Sequence, residues 1–437
     1  MMNANAALSK IKEFIRKPRH VLLILMFVTE ITTCFVYNMY HIAFPEINIV
    51  EGVRYYHTSW YNTTPYFLML LVLQTLILAQ FLIMEYRAKI KIISIYIILN
   101  MEVFLGFLTQ SVYGPTVIKK YILVNMVTSF LIIISYEFFK NMKSIHIKFL
   151  EVSAIVLLFI CVIASVLNKI NGSGSWLYIT DKLALNPQEI IRVVIPTLCI
   201  YLYRNFGEKK KTKDLIFLRI ISALSIFAGI LANDIGSTVL TAIIIVIGLW
   251  YTDKRSFTLF LITTLIMGIV TLSALYVTNK MNVFSRIMTT GTELFGTGQI
   301  HDSLMSLVYG GVSGLGTRNE SILATQIVYS NTDLSFNTLV SVYGIMFALI
   351  SIVPFILLLL VAMKTNIVRK KNSLYMLVAS AILLTQAVIH ILCGLNMLPY
   401  TGLCFPFLSQ SGSNAVVSYS LFGIYIAGIA PDLLNFS

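Results

Sequence analysis

The sequence predicts an all-α polytopic membrane protein of about twelve transmembrane helices, with both termini in the cytoplasm. Three observations carry that prediction. Of 437 residues, 57% are hydrophobic and only 12% charged, about half the ~25% charged share of soluble domains. The mean hydropathy is +0.84, and 27 Phe, 23 Tyr and 17 Met are spread along the whole length, so most helix-length segments are apolar all round, which water does not tolerate. Finally, the Lys and Arg clusters alternate with the apolar runs in a way that assigns each connection to a side.

Windows of about 20 apolar residues mark spans near 20–40, 64–84, 92–111, 117–138, 149–168, 190–204, 214–232, 236–252, 256–278, 334–363, 373–394 and 412–430. The first follows a basic stretch (Lys10, Lys12, Arg16, Lys17, Arg19), as a signal peptide's apolar region would. It ends in Val36-Tyr37-Asn38-Met39-Tyr40 with no small-residue cleavage site, so it reads as a retained span. With the N-terminus inside, most of the 32 Lys and Arg fall in inner segments, among them Lys209-Lys210-Lys211 and Arg369-Lys370-Lys371. The formal charge of +13 is therefore explained by membrane topology, and nucleic acid is not an expected partner.

By the window count residues 1–86 hold two spans and 87–430 ten, with 431–437 a short cytoplasmic tail. The outer connections 41–63, 169–189 and 279–333 are long enough to hold chemistry, and the last gathers Gly310, Gly311, Gly314 and Gly316. The five cysteines show no metal spacing and read as small buried hydrophobes, with a Cys393–Cys404 disulfide as the alternative.

Ionisable groups in or beside a bilayer are costly and are the candidates for chemistry. Glu30, Glu102, Glu151 and Asp234 lie in or at the ends of apolar runs, and Asp333 stands where the longest outer connection re-enters the membrane. The simplest roles are interfacial placement or helix-to-helix hydrogen bonds for the first three, and helix capping for Asp234 and Asp333. The outward cations include Lys119, Lys120, Lys182, Arg192, Arg286 and Arg318. They either pair with lipid headgroups or converge on an anionic substrate such as a lipid pyrophosphate. No P-loop, dinucleotide fingerprint or His-Glu-x-x-His helix is present, which argues against a nucleotide-driven pump.

Four segments in order resemble the SEDS (shape, elongation, division and sporulation) family of FtsW- and RodA-like peptidoglycan glycosyltransferases. Gly172-Ser173-Gly174-Ser175-Trp176 with Asn186-Pro187-Gln188-Glu189 is similar to the family's Gly-x-x-Arg-Trp and Gln-Pro-Ser-Glu. Asn233-Asp234-Ile235-Gly236 is similar to Pro-Asp-Leu-Gly. Gly298-Gln299, Asp302-Ser303-Leu304, Gly310-Gly311-Val312-Ser313-Gly314-Leu315-Gly316 and Asn331-Thr332-Asp333 follow the family's series that ends in His-Thr-Asp. Leu398-Pro399-Tyr400-Thr401-Gly402, Pro406-Phe407, Ser409, Gly412 and Ser413 resemble Leu-Pro-x-Thr-Gly, Pro-Phe and Ser-Tyr-Gly-Gly-Ser. The resemblance implies a ten-span core over residues 87–430, with 1–86 as a two-span N-terminal extension it does not cover. Departures mark a divergent member. Val328 and Tyr329 stand at the family's Pro-Glu, Asn331 at its His, and Val340, Ser341 and Val342 at its Gly-Glu-Glu.

The resemblance implies transfer of a sugar from an undecaprenyl-pyrophosphate-linked donor, lipid II, at the outer face of a bacterial cytoplasmic membrane. Asp333 takes the place of the family's essential Asp, as base toward the attacking hydroxyl. Arg286, Arg318 and Lys182 are the expected cations for the pyrophosphate, and Trp176, Glu189, Asp234, Gln299, Ser303, Thr332, Thr401 and Ser409 complete the expected substrate-binding set. No organic cofactor is called for, and a divalent cation is left open. The implied partner is a single-span class B penicillin-binding protein. A catalytically lapsed scaffold, a polymerase of another lipid-linked glycan and a lipid-linked-sugar flippase are the alternative readings.

Overall fold

In the computed structural model the described residues are 23–24, 26–33, 46–50, 53–57, 64–88, 90–140, 144–167, 177–180, 183–205, 212–231, 234, 236, 238–243, 299–316, 327, 330–368 and 373–429. They form a bundle of long helices. Helix α1 (residues 23–24 and 26–33) precedes a hairpin of β1 (Glu46–Val50) and β2 (Val53–His57). Helices α2 (Thr64–Ala88), α3 (Ile93–Ser111), α4 (Pro115–Thr128), α5 (Phe130–Lys140) and α6 (Ser144–Leu167) follow. A second hairpin, β3 (Leu177–Thr180) and β4 (Leu183–Leu185), leads into α7 (Pro187–Asn205) and α8 (Thr212–Leu231). The C-terminal part comprises α9 (Gln299–Gly310), α10 (Ser335–Tyr343), α11 (Ile345–Ala348), a 3-10 turn (Leu349–Ile352), α12 (Val353–Val368), α13 (Ser373–Gly394) and α14 (Gly412–Ile429).

Among the described residues, seven helices are long and apolar enough to cross a membrane: Thr64–Arg87, Ile93–Ser111, Pro115–Lys140, Ile145–Ala164, Ile345–Thr365, Leu374–Gly394 and Gly412–Ile429. Each coincides with an expected span. A shorter apolar helix runs over Ile220–Ile230, and the span expected at 256–278 lies outside the described residues. Large apolar side chains such as Val127, Ile145 and Phe159 are exposed on the outside of the bundle, the side a bilayer would cover. Inside, small residues let helices approach closely. A side chain at Gly423 of α14 would start 2.4 Å from the Ile132 carbonyl of α5.

One expected span divides. The run 334–363 breaks at Gly344, which sits at φ +85° and packs so tightly on Val312 and Gly314 that a Cβ there would meet backbone atoms. Only glycine fits that conformation at that distance. The preceding α10 buries Ser335, Asn337, Thr338 and Ser341, and its polar groups are used internally: Asn337 donates to Ser303 of α9 and to the Gly394 carbonyl of α13 (2.9 Å). So α10 is a buried helix at the end of the bundle, and the span proper begins at Ile345.

Helix α1 is fastened by one carboxyl. Glu30 is 3% exposed; its Oε2 accepts from Gln74 Nε2 of α2 (2.9 Å) and its Oε1 from Asn100 Nδ2 of α3 (2.7 Å). Each such intramembrane bond contributes on the order of 1 kcal/mol, and removing the acceptor strands two buried amides. Glu30→Ala is expected to lower the apparent melting temperature of the detergent-purified protein, by the equivalent of about 1–3 kcal/mol, with Glu30→Gln losing less. Thermal unfolding followed by tryptophan fluorescence measures both.

Candidate functional site

The site is built around a segment without regular structure. Between α13 and α14 the chain runs through residues 395–411, and its buried carbonyls are answered by side chains of four helices. Gln110 of α3 donates to the Leu408 carbonyl (2.7 Å), Tyr121 of α4 to Phe407 (2.7 Å), Gln386 of α13 to Cys404 (2.8 Å) and Asn414 of α14 to Phe405 (3.1 Å). His390 Nδ1 lies 2.6 Å from the Leu403 carbonyl, while its Nε2 receives the Phe336 N–H (3.4 Å), so the proton belongs on Nδ1.

This segment holds the turn that carries Asp333. Ser409 donates to the Thr332 carbonyl, accepts the Phe405 N–H (2.8 Å) and bonds the Ser335 hydroxyl (2.8 Å). The Asn331 carbonyl accepts the Gln410 N–H and the Gln110 amide, both at 3.0 Å, and Asn331 Nδ2 donates to Gln410 Oε1 (2.9 Å). Asp333 therefore projects from a turn fixed on both sides. Tyr400 O–H donates to its Oδ2 (3.2 Å) and the Cys404 thiol lies 3.9 Å from its Oδ1. Gly402, at φ +66°, passes beside the carboxylate; a Cβ there would come within 3.3 Å of Oδ2.

Asp333 keeps part of its surface open, yet its surroundings push its pKa from the ordinary carboxylate range up to about 6. Burial is the main cause. Bonds from Thr332 and Tyr400 oppose it, and the nearby Glu189 and Asp234 reinforce it.

Those two carboxylates belong to a second cluster. Asn186 caps α7 through its Oδ1, which accepts the Gln188 N–H (3.0 Å), and its amide donates to Asp234 Oδ2 (3.2 Å). One turn into α7, Arg192 is fully buried and its Nη2 stands 3.2 Å from Glu189 Oε1. Its Nε and Nη1 have no hydrogen-bond partner among the described residues. Gly236, helical and two residues beyond Asp234, packs directly on Thr401, joining this cluster to the segment that faces Asp333.

Of the expected site residues, Asp333, Glu189, Asp234, Thr332, Thr401 and Ser409 come together here. Ser303 is used in packing α9 on α10. Gln299 begins α9, its side chain outside the description, and Trp176, Lys182, Arg286 and Arg318 lie outside the described residues. Among the described residues no three His, Cys, Asp or Glu side chains gather closely enough to hold a metal ion, and Cys161, Cys393 and Cys404 are free, buried thiols. Sequence reasoning placed Arg192 only among the outward cations; its spacing three residues after Glu189, one helical turn, was the available signal. Tyr400, Cys404, Gln110 and Gln410 carried no signal of their own.

Comparison with known proteins gives the family. Residues 74–430 match the family model of the cell cycle proteins FtsW, RodA and SpoVE. A probable peptidoglycan glycosyltransferase FtsW of Borreliella burgdorferi is 24% identical over 319 residues, 69% of this chain and 85% of that protein. Its counterpart from Coxiella burnetii is 26% identical over 281 residues, 62% of this chain and 75% of the relative. A chain in the structure "Structural coordination of polymerization and crosslinking by a peptidoglycan synthase complex" has a TM-score of 0.57 at 14% identity, over 78% of this chain and 98% of that one. The rod shape determining protein RodA of Thermus thermophilus gives 0.51 at 13% identity, over 76% and 95%. With its helical bundle, its motifs in order and four fifths of its length matched, the chain belongs to the FtsW/RodA/SpoVE cell cycle protein family, the SEDS family of peptidoglycan glycosyltransferases.

Proposed function

We propose that this protein is an inverting glycosyltransferase that polymerises lipid II into glycan strands at the outer face of a bacterial cytoplasmic membrane, working with a class B penicillin-binding protein. The observation that carries the reading is Asp333: a carboxylate with an open edge, at the position of the family motif, held by donors on both oxygens and with a pKa near 6. A base working near neutral pH is most effective when its own proton affinity is close to that pH. Asp333 removes the proton of the acceptor hydroxyl as that oxygen attacks the anomeric carbon, and the lipid pyrophosphate leaves from the opposite side. A single displacement of this kind inverts the anomeric centre.

The departing pyrophosphate needs positive charge. Arg192, whose Nε and Nη1 are unpartnered among the described residues, is the described cation assigned to it. Lys182, Arg286 and Arg318 remain proposed contributors from the connections. The relatives' names support the chemistry, and the likeness to a chain from a peptidoglycan synthase complex supports the partnership.

The deciding experiment is polymerisation of labelled lipid II by the purified protein, with and without a class B penicillin-binding protein. Asp333→Ala is expected to lose at least about 100-fold in rate. Glycan made equally well by the variant would remove Asp333 as the base. No glycan from a folded wild type that binds lipid II would favour the scaffold or a different lipid-linked glycan, and transbilayer lipid movement surviving Asp333→Ala would favour a flippase. The base works ionised, so the rate should rise with pH through about 6, whereas an ordinary aspartate would place that limb near ~4. Arg192→Lys, which keeps the charge opposite Glu189, should retain measurable activity. Arg192→Gln should lower the rate on the order of 100-fold and, by leaving Glu189 unanswered, move the Asp333 limb upward in pH.

A further inference from the structure

We propose that Tyr400 and Cys404 are positioning residues for Asp333: each donates to a different carboxylate oxygen, and together they fix the plane in which the open edge of the carboxylate meets substrate. The proposal rests on the glycosyltransferase reading for its catalytic consequence, though not for its geometry.

The two contacts are chemically unequal. Tyr400 supplies a phenolic O–H at 3.2 Å to Oδ2, and Cys404 a thiol at 3.9 Å to Oδ1. Both come from one short stretch, on either side of Gly402, whose left-handed backbone lets the chain bend around the carboxylate. The Cys404 donor cannot swing away freely. Cys404 is 4% exposed and its carbonyl is held by Gln386, while the neighbouring Leu403 and Phe405 carbonyls are held by His390 and Asn414. The thiol must carry its proton to act as a donor. Burial pushes the Cys404 pKa well up, with Asp333 and Glu189 adding to the effect and Arg192 partly opposing it, so it remains S–H throughout the working range.

Among the described residues the charges around Asp333 are few, and the Thr332 side chain also bonds its carboxyl. Glu189 of α7 and Asp234 after α8 act on it directly, and Arg192 acts on Cys404. Changing only Tyr400 or Cys404 leaves that background intact. Donors to the ionised form stabilise it, so losing one raises the carboxyl's proton affinity and strengthening one lowers it. Because S–H is a weak donor and O–H a stronger one, the substitutions predict opposite directions. Tyr400→Phe should raise the Asp333 midpoint by about half a pH unit or more, Cys404→Ala should raise it less, and Cys404→Ser should lower it.

The test reads Asp333 directly. Carbodiimide plus an amine tag labels the protonated carboxyl, and mass spectrometry of the full-length detergent-purified protein gives the extent of Asp333 labelling against pH. Midpoints that move up, up and down in the three variants establish the positioning role. Midpoints that coincide with wild type in all three, or that all move in the same direction as loosened packing would produce, overturn it. The same preparations are assayed for lipid II polymerisation across pH, where the rising limb should move in step with the labelling midpoint. Midpoints that shift as expected while even the wild type makes no glycan would leave the positioning role standing and remove the glycosyltransferase reading. Polymerisation whose limb stays fixed while the midpoints move would show that the two residues do not act through the base.

Discussion

The structure around the site depends on one constraint: residues 403–408 run buried through the end of a helical bundle without forming helix or strand. In a low-dielectric setting an unanswered carbonyl costs several kcal/mol, and five carbonyls in this stretch would otherwise face that cost. Gln110, Tyr121, Gln386, His390 and Asn414 remove it, each from a helix whose packing is set by its apolar neighbours. The segment's path is thus dictated by α3, α4, α13 and α14 at once. Because Ser409 and Gln410 in turn hold the backbone on either side of Thr332, the position of Asp333 is inherited from four membrane helices rather than from its own turn.

That rigidity makes the electrostatics tractable. Two other carboxylates, Glu189 and Asp234, act on Asp333, and an uncompensated trio would resist ionisation altogether. Each of the two is partly answered locally. Arg192 faces Glu189 within one turn of α7, and the Asn186 amide meets Asp234. What reaches Asp333 is the residue of these balances, enough to help place its proton affinity in a useful range without suppressing the charged form. The same cap that starts α7 therefore also contributes to the base.

Much of this was legible in the sequence. Apolar runs located the seven described spans because a bilayer imposes a length and a composition that little else requires. The ordered motifs located Asp333, Asp234, Glu189 and Thr401, which the fold does bring together. Other features left no trace. The break at Gly344 hides inside an apolar run, since α10 and the following span are both rich in Val, Leu and Phe, and only the backbone's approach to Val312 and Gly314 distinguishes them. The roles of Gln110 and Gln410 are equally silent, because an amide that caps a distant carbonyl has no local spacing to betray it.

The N-terminal part follows different physics. The family match begins at Gln74, inside α2, and Gln74 is one of the two amides that grip Glu30. Apolar helices in lipid gain little from hiding apolar surface against one another, so apolar contacts such as Leu23, Met26 and Phe27 against the core would leave the register of α1 loosely defined. A buried carboxyl bonded to α2 and α3 together supplies that register, while Ile24, Val28 and Ile31 face outward. Helix α1 is therefore joined to the family core by a directional contact at one depth, added to its apolar packing.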